Sequence, residues 1–246
     1  MRASGYGPDD KAERQREGYE SPPVTSASGV FFPDPAIRPD WSTAVRRLRR
    51  DPALRAVIAR VGPCTLAPRR DYFVALCQSI YAQQISTKIA TTLFARFADK
   101  FPRCNPTPAR VVEALSPGGW DEATIRHCGL SRQKRGYVLD LARHFADRRV
   151  DARKLPTMDD EAVIDALTDI HGVGRWTAEM FLIFVLNRPD VLPVDDLGLR
   201  ESVRRVYGLH DRPKADVLRQ LAEPWRPWRS IATWYLWRGG ALDAAD

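Results

Sequence analysis

The chain has 246 residues, 44% of them hydrophobic, enough to bury one good core or two small ones packed together. Lys and Arg number 38 against 31 Asp and Glu, a net charge of +7 that disfavours basic partners and favours a polyanion. No stretch approaches the roughly 20 apolar residues of a membrane helix, so a membrane role is set aside and a cytoplasmic protein is expected, nucleoid-associated if bacterial.

Residues 1–35, including GYGPDD and SPPVTSASG, are rich in Gly, Pro, Ser and scattered charge. Such a segment cannot bury enough apolar surface to offset its ordering entropy, and a disordered tail is expected. From Trp41 the pattern turns helical. In WSTAVRRLRRDPALRAVIARVG, Val45, Leu48, Leu54, Val57, Ile58 and Val61 recur at three- and four-residue intervals, broken at Asp51-Pro52. The apolar run from Asp71 to Phe101 predicts one or two long core helices. Further helices are expected at 107–115, 121–127, 131–147, 158–169, 175–186, 196–207, 214–222 and 228–238. No sustained strand alternation occurs, and the fold class is all-α. Cys64, Cys77, Cys104 and Cys128 form no CxxC pair, which suggests reduced thiols rather than disulfides, a zinc site or an iron–sulfur cluster. Only six of the basic residues are lysines. The arginine excess suits phosphate, whose oxygens the planar guanidinium binds two at a time, although GC-rich coding produces the same excess.

The most informative stretch is TMDDEAVIDALTDIHGVGRWTAEMFLIFVL, residues 157–186. Thr157 is positioned to cap a helix whose first turn carries Asp159, Asp160 and Glu161, favourably placed for the helix dipole. Ile170-His171-Gly172-Val173-Gly174 then separates it from a second, strongly apolar helix opening at Arg175. Two glycines around one apolar residue allow a sharp turn and close approach of a ligand. The free N–H groups of the second helix make a phosphate site. Such a hairpin holds a DNA backbone without reading its sequence, although a plain helix–helix turn has the same glycine pattern. Asp196 lies 22 residues beyond Gly174, in Leu192-Pro193-Val194-Asp195-Asp196-Leu197-Gly198-Leu199. An Asp before an apolar helix is by itself most simply a cap. Trp225, Trp228, Trp234, Tyr235 and Trp237 crowd the carboxyl end, a spacing usual for core aromatics.

The motifs HGVGRWTAEMFL, LPVDDLGLR and WRPWRSIATWYLW occur in that order, and over roughly residues 40–240 the chain resembles the alkylation-repair branch of the helix-hairpin-helix DNA glycosylases, called 3-methyladenine DNA glycosylase II. The resemblance implies two helical subdomains within 36–246, one of residues 72–188 with the hairpin, the other of 36–71 with 189–246, and a DNA-facing cleft between them. It implies double-stranded DNA with damaged bases as partner, a monomer, and no metal or organic cofactor, with a monovalent cation allowed at the hairpin carbonyls. His171, Gly172, Val173, Gly174 and Arg175 would grip the DNA backbone. The Asp-Leu-Gly-Leu match makes Asp196 the carboxylate at the anomeric carbon, with Asp195 the alternative register. A carboxylate there stabilises the oxocarbenium-like state formed as an N-glycosidic bond breaks. Trp237 matches the position that stacks on the extruded base, where an indole favours a cationic purine, and Trp176 and Tyr81 are further candidates for that pocket.

Relatives that also nick DNA carry a nucleophilic lysine two residues after the last hairpin glycine. Here that position is Trp176, which cannot form a Schiff base. Tyr81-Ala82-Gln83-Gln84-Ile85-Ser86 resembles the family's wedge-bearing turn, with Gln83 and Gln84 toward DNA. Gln84 replaces the leucine of a well-known bacterial member, and two solvent-facing glutamines are the simpler account of the pair. The amino-terminal sheet domain of longer bacterial members is not matched. Expected activity is removal of alkylated purines, 3-methyladenine and also 7-methylguanine, without strand cleavage. A non-enzymatic hairpin module and a glycosylase for oxidised or deaminated bases are the alternatives.

Overall fold

The computed structural model describes residues 39–243; the expected amino-terminal tail lies outside them. Among the described residues there are twelve α-helices, two short 3-10 turns and no strand. The first seven helices are α1 (Ser42–Leu48), α2 (Pro52–Val61), α3 (Tyr72–Ala82), α4 (Thr87–Ala98), α5 (Pro108–Leu115), α6 (Glu122–His127) and α7 (Arg132–Ala146). They are followed by α8 (Asp160–Thr168), α9 (Arg175–Phe184), α10 (Leu197–Val206), α11 (Ala215–Ala222) and α12 (Arg229–Asp243).

Side-chain caps explain half of the twelve starts. Asp51, Ser86, Asp121, Ser131, Asp159 and Asp196 each accept a backbone N–H from the first turn of the helix that follows, satisfying donors that have no partner inside the helix. The α8 cap is Asp159, bonded to the Ala162 N–H at 2.8 Å, and not the expected Thr157. Thr157 instead donates its hydroxyl to the Lys154 carbonyl at 2.9 Å, because the chain is still in a turn there. The expected end of the last helix at 238 is also corrected. α12 runs on through Gly239 and Gly240, where a Cβ would lie 2.7 Å from Val57 Cγ1 and from Ser202 Oγ respectively. Those glycines let α12 lie close against α2 and α10.

The helices sort by contact into two groups. In one, α3 packs on α4, α7 and α9, α5 packs on α7, and α8 on α9. In the other, α12 packs on α1, α2 and α10, and α2 also meets α1 and α10. From Thr177 to Phe184 every residue of α9 is buried, and each such large apolar side chain contributes about 1.5–3 kcal/mol. The crossing between groups is pinned by Asp190, which pairs with Arg229 at 2.8 Å and Arg226 at 2.7 Å. Ser230 adds a hydroxyl that accepts the Val191 N–H at 2.9 Å. These ties fix where the chain re-enters the second group, and so where Asp196 comes to rest.

Candidate active site

The hairpin between α8 and α9 is defined by backbone. Gly172 has φ +88°, a left-handed conformation, and a Cβ there would collide with the Tyr137 ring beneath it. Gly174 differs. Its φ of −94° suits any residue, and nothing lies within 4 Å of where its Cβ would stand. The protein needs glycine at 172 for its own fold, whereas the space at 174 is open to solvent and to a ligand. His171 is exposed, meets Tyr137 edge to face at 4.9 Å, and donates its backbone N–H to Asp140 Oδ2 at 2.8 Å. Val173 is buried and its N–H is bonded to the Ile170 carbonyl at 3.0 Å, so it offers a ligand only its own carbonyl.

Arg175 opens α9 with its guanidinium committed. It bonds both oxygens of Glu161, at 2.6 and 3.0 Å, and Glu179 Oε1 at 3.2 Å. The cation is already shared by two carboxylates, so it is less free to meet a phosphate than the sequence suggested. Glu179 is buried, and burial pushes its carboxyl up to about 7, with the Arg175 charge opposing.

Asp196 caps α10 and is 5% exposed. Three donors converge on it. The Leu199 N–H at 2.5 Å and Trp237 Nε1 at 2.9 Å meet Oδ1, and Trp176 Nε1 at 2.7 Å meets Oδ2. The indoles come from the first turn of α9 and from α12, so the carboxylate sits where the two groups of helices meet. Asp195 is exposed. The cap and the buried carboxylate are therefore one residue, where the sequence left room for two.

The structure reorders the aromatic candidates. Trp237 is only 4% exposed and stacks on Phe184 at 5.6 Å with a 19° interplanar angle. Both its polar edge and one face are occupied, so as placed it holds Asp196 rather than offering an open platform. Tyr81 is removed from the pocket altogether. Its ring is 1% exposed, packed against Phe94 at 5.5 Å and Phe97 at 5.6 Å, because an aromatic on the inner face of α3 points into the core. Trp176 is half-buried and is the more accessible of the two indoles on Asp196.

At the α3–α4 turn Gln84 is exposed at φ +62°. Gln83 turns inward and donates Nε2 to the Gly172 carbonyl at 2.9 Å, so one of the hairpin carbonyls open to a cation already has a partner. Sequence reasoning missed Glu179, Tyr137 and Asp140. A polar residue one turn beyond Trp176 was the only available signal for the first. Among the described residues no three His, Cys, Asp or Glu side chains are grouped to hold a metal, and no helix is long and apolar enough to cross a membrane.

Residues 77–227 match the HhH-GPD superfamily of base excision DNA repair proteins. The chain is 29% identical over 209 residues to the alkylbase DNA glycosidase-like protein mag2 of Schizosaccharomyces pombe, covering 81% of this chain and 93% of that one. It is 32% identical over 181 residues to DNA-3-methyladenine glycosylase 1 of the same yeast, covering 71% and 75% respectively. Among solved structures it is similar to the Schizosaccharomyces pombe 3-methyladenine DNA glycosylase Mag1 in complex with abasic DNA. That likeness has a TM-score of 0.68 and 30% identity, with 79% of this chain and 95% of that one covered.

Proposed function

The chain belongs to the HhH-GPD superfamily of base excision DNA repair proteins, and on that premise we propose that it is a monofunctional glycosylase for alkylated purines in double-stranded DNA. The observation that carries this reading is a buried Asp196 held by two indoles, one of them two residues past the hairpin glycine on the same helix. A helix that grips the phosphate backbone at its start thus also fixes the carboxylate's partner. The chemistry is simple. A purine alkylated at a ring nitrogen is already cationic, so its C1′–N bond breaks with the base leaving neutral. The sugar is left oxocarbenium-like, and Asp196 stabilises that charge from close range. Water adds to C1′, its proton passing to the carboxylate or to solvent.

The half-buried Trp176 supplies the face on which a cationic base stacks, an attraction of about 0.5–2 kcal/mol. Trp237 supports it by holding the carboxylate. The same Trp176 stands where relatives with lyase activity carry their lysine, so no amine is offered to the sugar there. Phosphate contacts fall to the hairpin N–H groups around Gly174, with Gln84 filling the gap left by the extruded nucleotide. The protein acts as a monomer, in the compartment that holds the DNA.

The test is incubation with methylated duplex, identifying released bases and then the state of the strands. Release of 3-methyladenine, with 7-methylguanine alongside, and intact abasic strands are expected. Nicking without added base or heat, together with a borohydride-trapped adduct, overturns the monofunctional assignment. Tight binding without base release overturns the enzyme.

A further inference from the structure

α7 carries a row of polar contacts that the chemistry above does not use. Lys134, in its first turn, donates Nζ to the Tyr81 carbonyl at 2.7 Å and to the Gln83 carbonyl at 2.9 Å. One turn on, Tyr137 lies beneath Gly172, and its hydroxyl accepts Gln133 Nε2 at 2.6 Å. Another turn on, Asp140 accepts the His171 N–H. Residues 134, 137 and 140 share one face of the helix by their spacing. The first of them therefore holds the α3–α4 turn while the other two hold the hairpin. Gln83 closes the circuit by donating directly to the Gly172 carbonyl.

Lys134 is in a costly place for a lysine. Three residues after the Ser131 cap, it meets the positive end of its own helix, and α7 has no acidic residue in its first turn to compensate. Partial burial also lowers its pKa by desolvation. The compensation comes from the other end of the contact. The carbonyls it binds close α3, where unpaired acceptors and the negative dipole end favour a cation. Immediately beyond them, Gln84 is exposed in a left-handed backbone conformation that a non-glycine residue keeps only when its surroundings impose it.

We propose that Lys134 is a positioning residue for nucleotide extrusion: through the Tyr81 and Gln83 carbonyls, with Gln83 bridging to Gly172, it fixes Gln84 at a set distance from the phosphate-gripping hairpin. The inference rests on the glycosylase reading. Its consequence is specific, because opening a base pair costs a few kcal/mol that a held wedge offsets, and a lesion that is already unpaired does not need that help.

The experiment uses an oligonucleotide with one purine alkylated at a ring nitrogen, annealed either to its complement or to a strand with an abasic site opposite the lesion. Under single-turnover conditions Lys134→Met should excise the paired lesion about 10- to 100-fold more slowly, and the lesion opposite the abasic site within about threefold of wild type. Binding to undamaged duplex should stay within about twofold, because the hairpin N–H groups are untouched. Lys134→Arg should recover part of the loss. An equal deficit on both substrates, or none on either, overturns the proposal. If Lys134→Met fails to fold, Gln83→Leu, which removes the bridge to Gly172, gives the same comparison. A wild type that releases no base from either substrate refutes the glycosylase reading. The positioning role is then read by the fluorescence of 2-aminopurine next to the target, which wild type should raise and Lys134→Met should not; an equal rise in both overturns it.

Discussion

The hairpin and the carboxylate lie at the two sides of one helical turn, Gly174 to Trp176, and they are built by opposite means. The hairpin is backbone. One of its two glycines is forced by the fold and the other is left open, and on the proposed reading their N–H groups would meet every DNA sequence alike. The Asp196 site is side chain throughout, a single carboxylate with three donors and little contact with solvent. Recognition without sequence preference is well served by exposed backbone dipoles, whereas stabilising one developing charge is served by a group whose position is over-determined. Substitutions should therefore separate binding from chemistry along a very short stretch of chain.

The largest effect is expected at Asp196. Asp196→Asn keeps the shape, and its amide oxygen can still accept the Leu199 N–H, but single-turnover excision should fall about 10²–10⁴-fold, or about 3–5 kcal/mol of barrier. The substitution also turns an amide N–H₂ toward the Trp176 N–H if the oxygen keeps the cap, placing donor against donor at a cost of about 1–2 kcal/mol in folding. Adding Trp176→Phe should restore that stability without restoring the rate, which thermal melts and excision assays on the double variant would establish. Asp195→Asn, at an exposed position, should leave both largely intact. If Asp195→Asn is the inactive protein, the assignment of the carboxylate is wrong by one residue.

At the hairpin the two glycines should part company. Gly172→Ala combines a left-handed φ with a collision at Tyr137, and should lower stability by about 1–3 kcal/mol. Gly174→Ser meets neither obstacle and supplies a better helix cap than glycine, so the fold should be kept or slightly strengthened. A side chain now stands where phosphate approaches, and affinity for undamaged duplex should drop about tenfold, or about 1.4 kcal/mol. Calorimetry and fluorescence anisotropy on the pair check both halves. Normal DNA binding by Gly174→Ser would remove the phosphate grip from this turn.

Helix positions were legible because apolar spacing, Asp-Pro and Ser or Asp caps are local signals. So was Asp196, whose place before Leu197-Gly198-Leu199 marks a cap even without a resemblance. What the sequence could not convey was which way a side chain faces once two helices meet. Resemblance assigns Tyr81 and Trp237 to the pocket, and their burial against Phe94, Phe97 and Phe184 shows only once the helices are packed. Lys134 reaches carbonyls more than fifty residues away in the chain, and only the packing of α7 on α3 brings them together.

The smallest expected effect concerns the residue between the two regions. Glu179, one turn beyond Arg175, has its carboxyl raised by burial from an ordinary 4.5 to about 7. The folded protein thus holds this proton more tightly than the unfolded chain. The stability that proton contributes is fully present below about pH 4.5 and is lost as pH rises through 7. Above that, the ionised group is held at a cost which its bond to Arg175 only partly offsets. Glu179→Gln cannot ionise, so it escapes the loss, but it gives up the ion pair. The variant should therefore melt at or slightly below wild type at pH 5 and above it at pH 8. The change between those pH values should be about 1–2 kcal/mol, the part of a displacement from 4.5 to about 7 that falls between pH 5 and pH 8. Parallel melting of the two proteins from pH 5 to 8 would mean that water reaches the carboxylate. Glu179 would then belong to the exposed hairpin side of the helix and not to the closed side that holds Asp196.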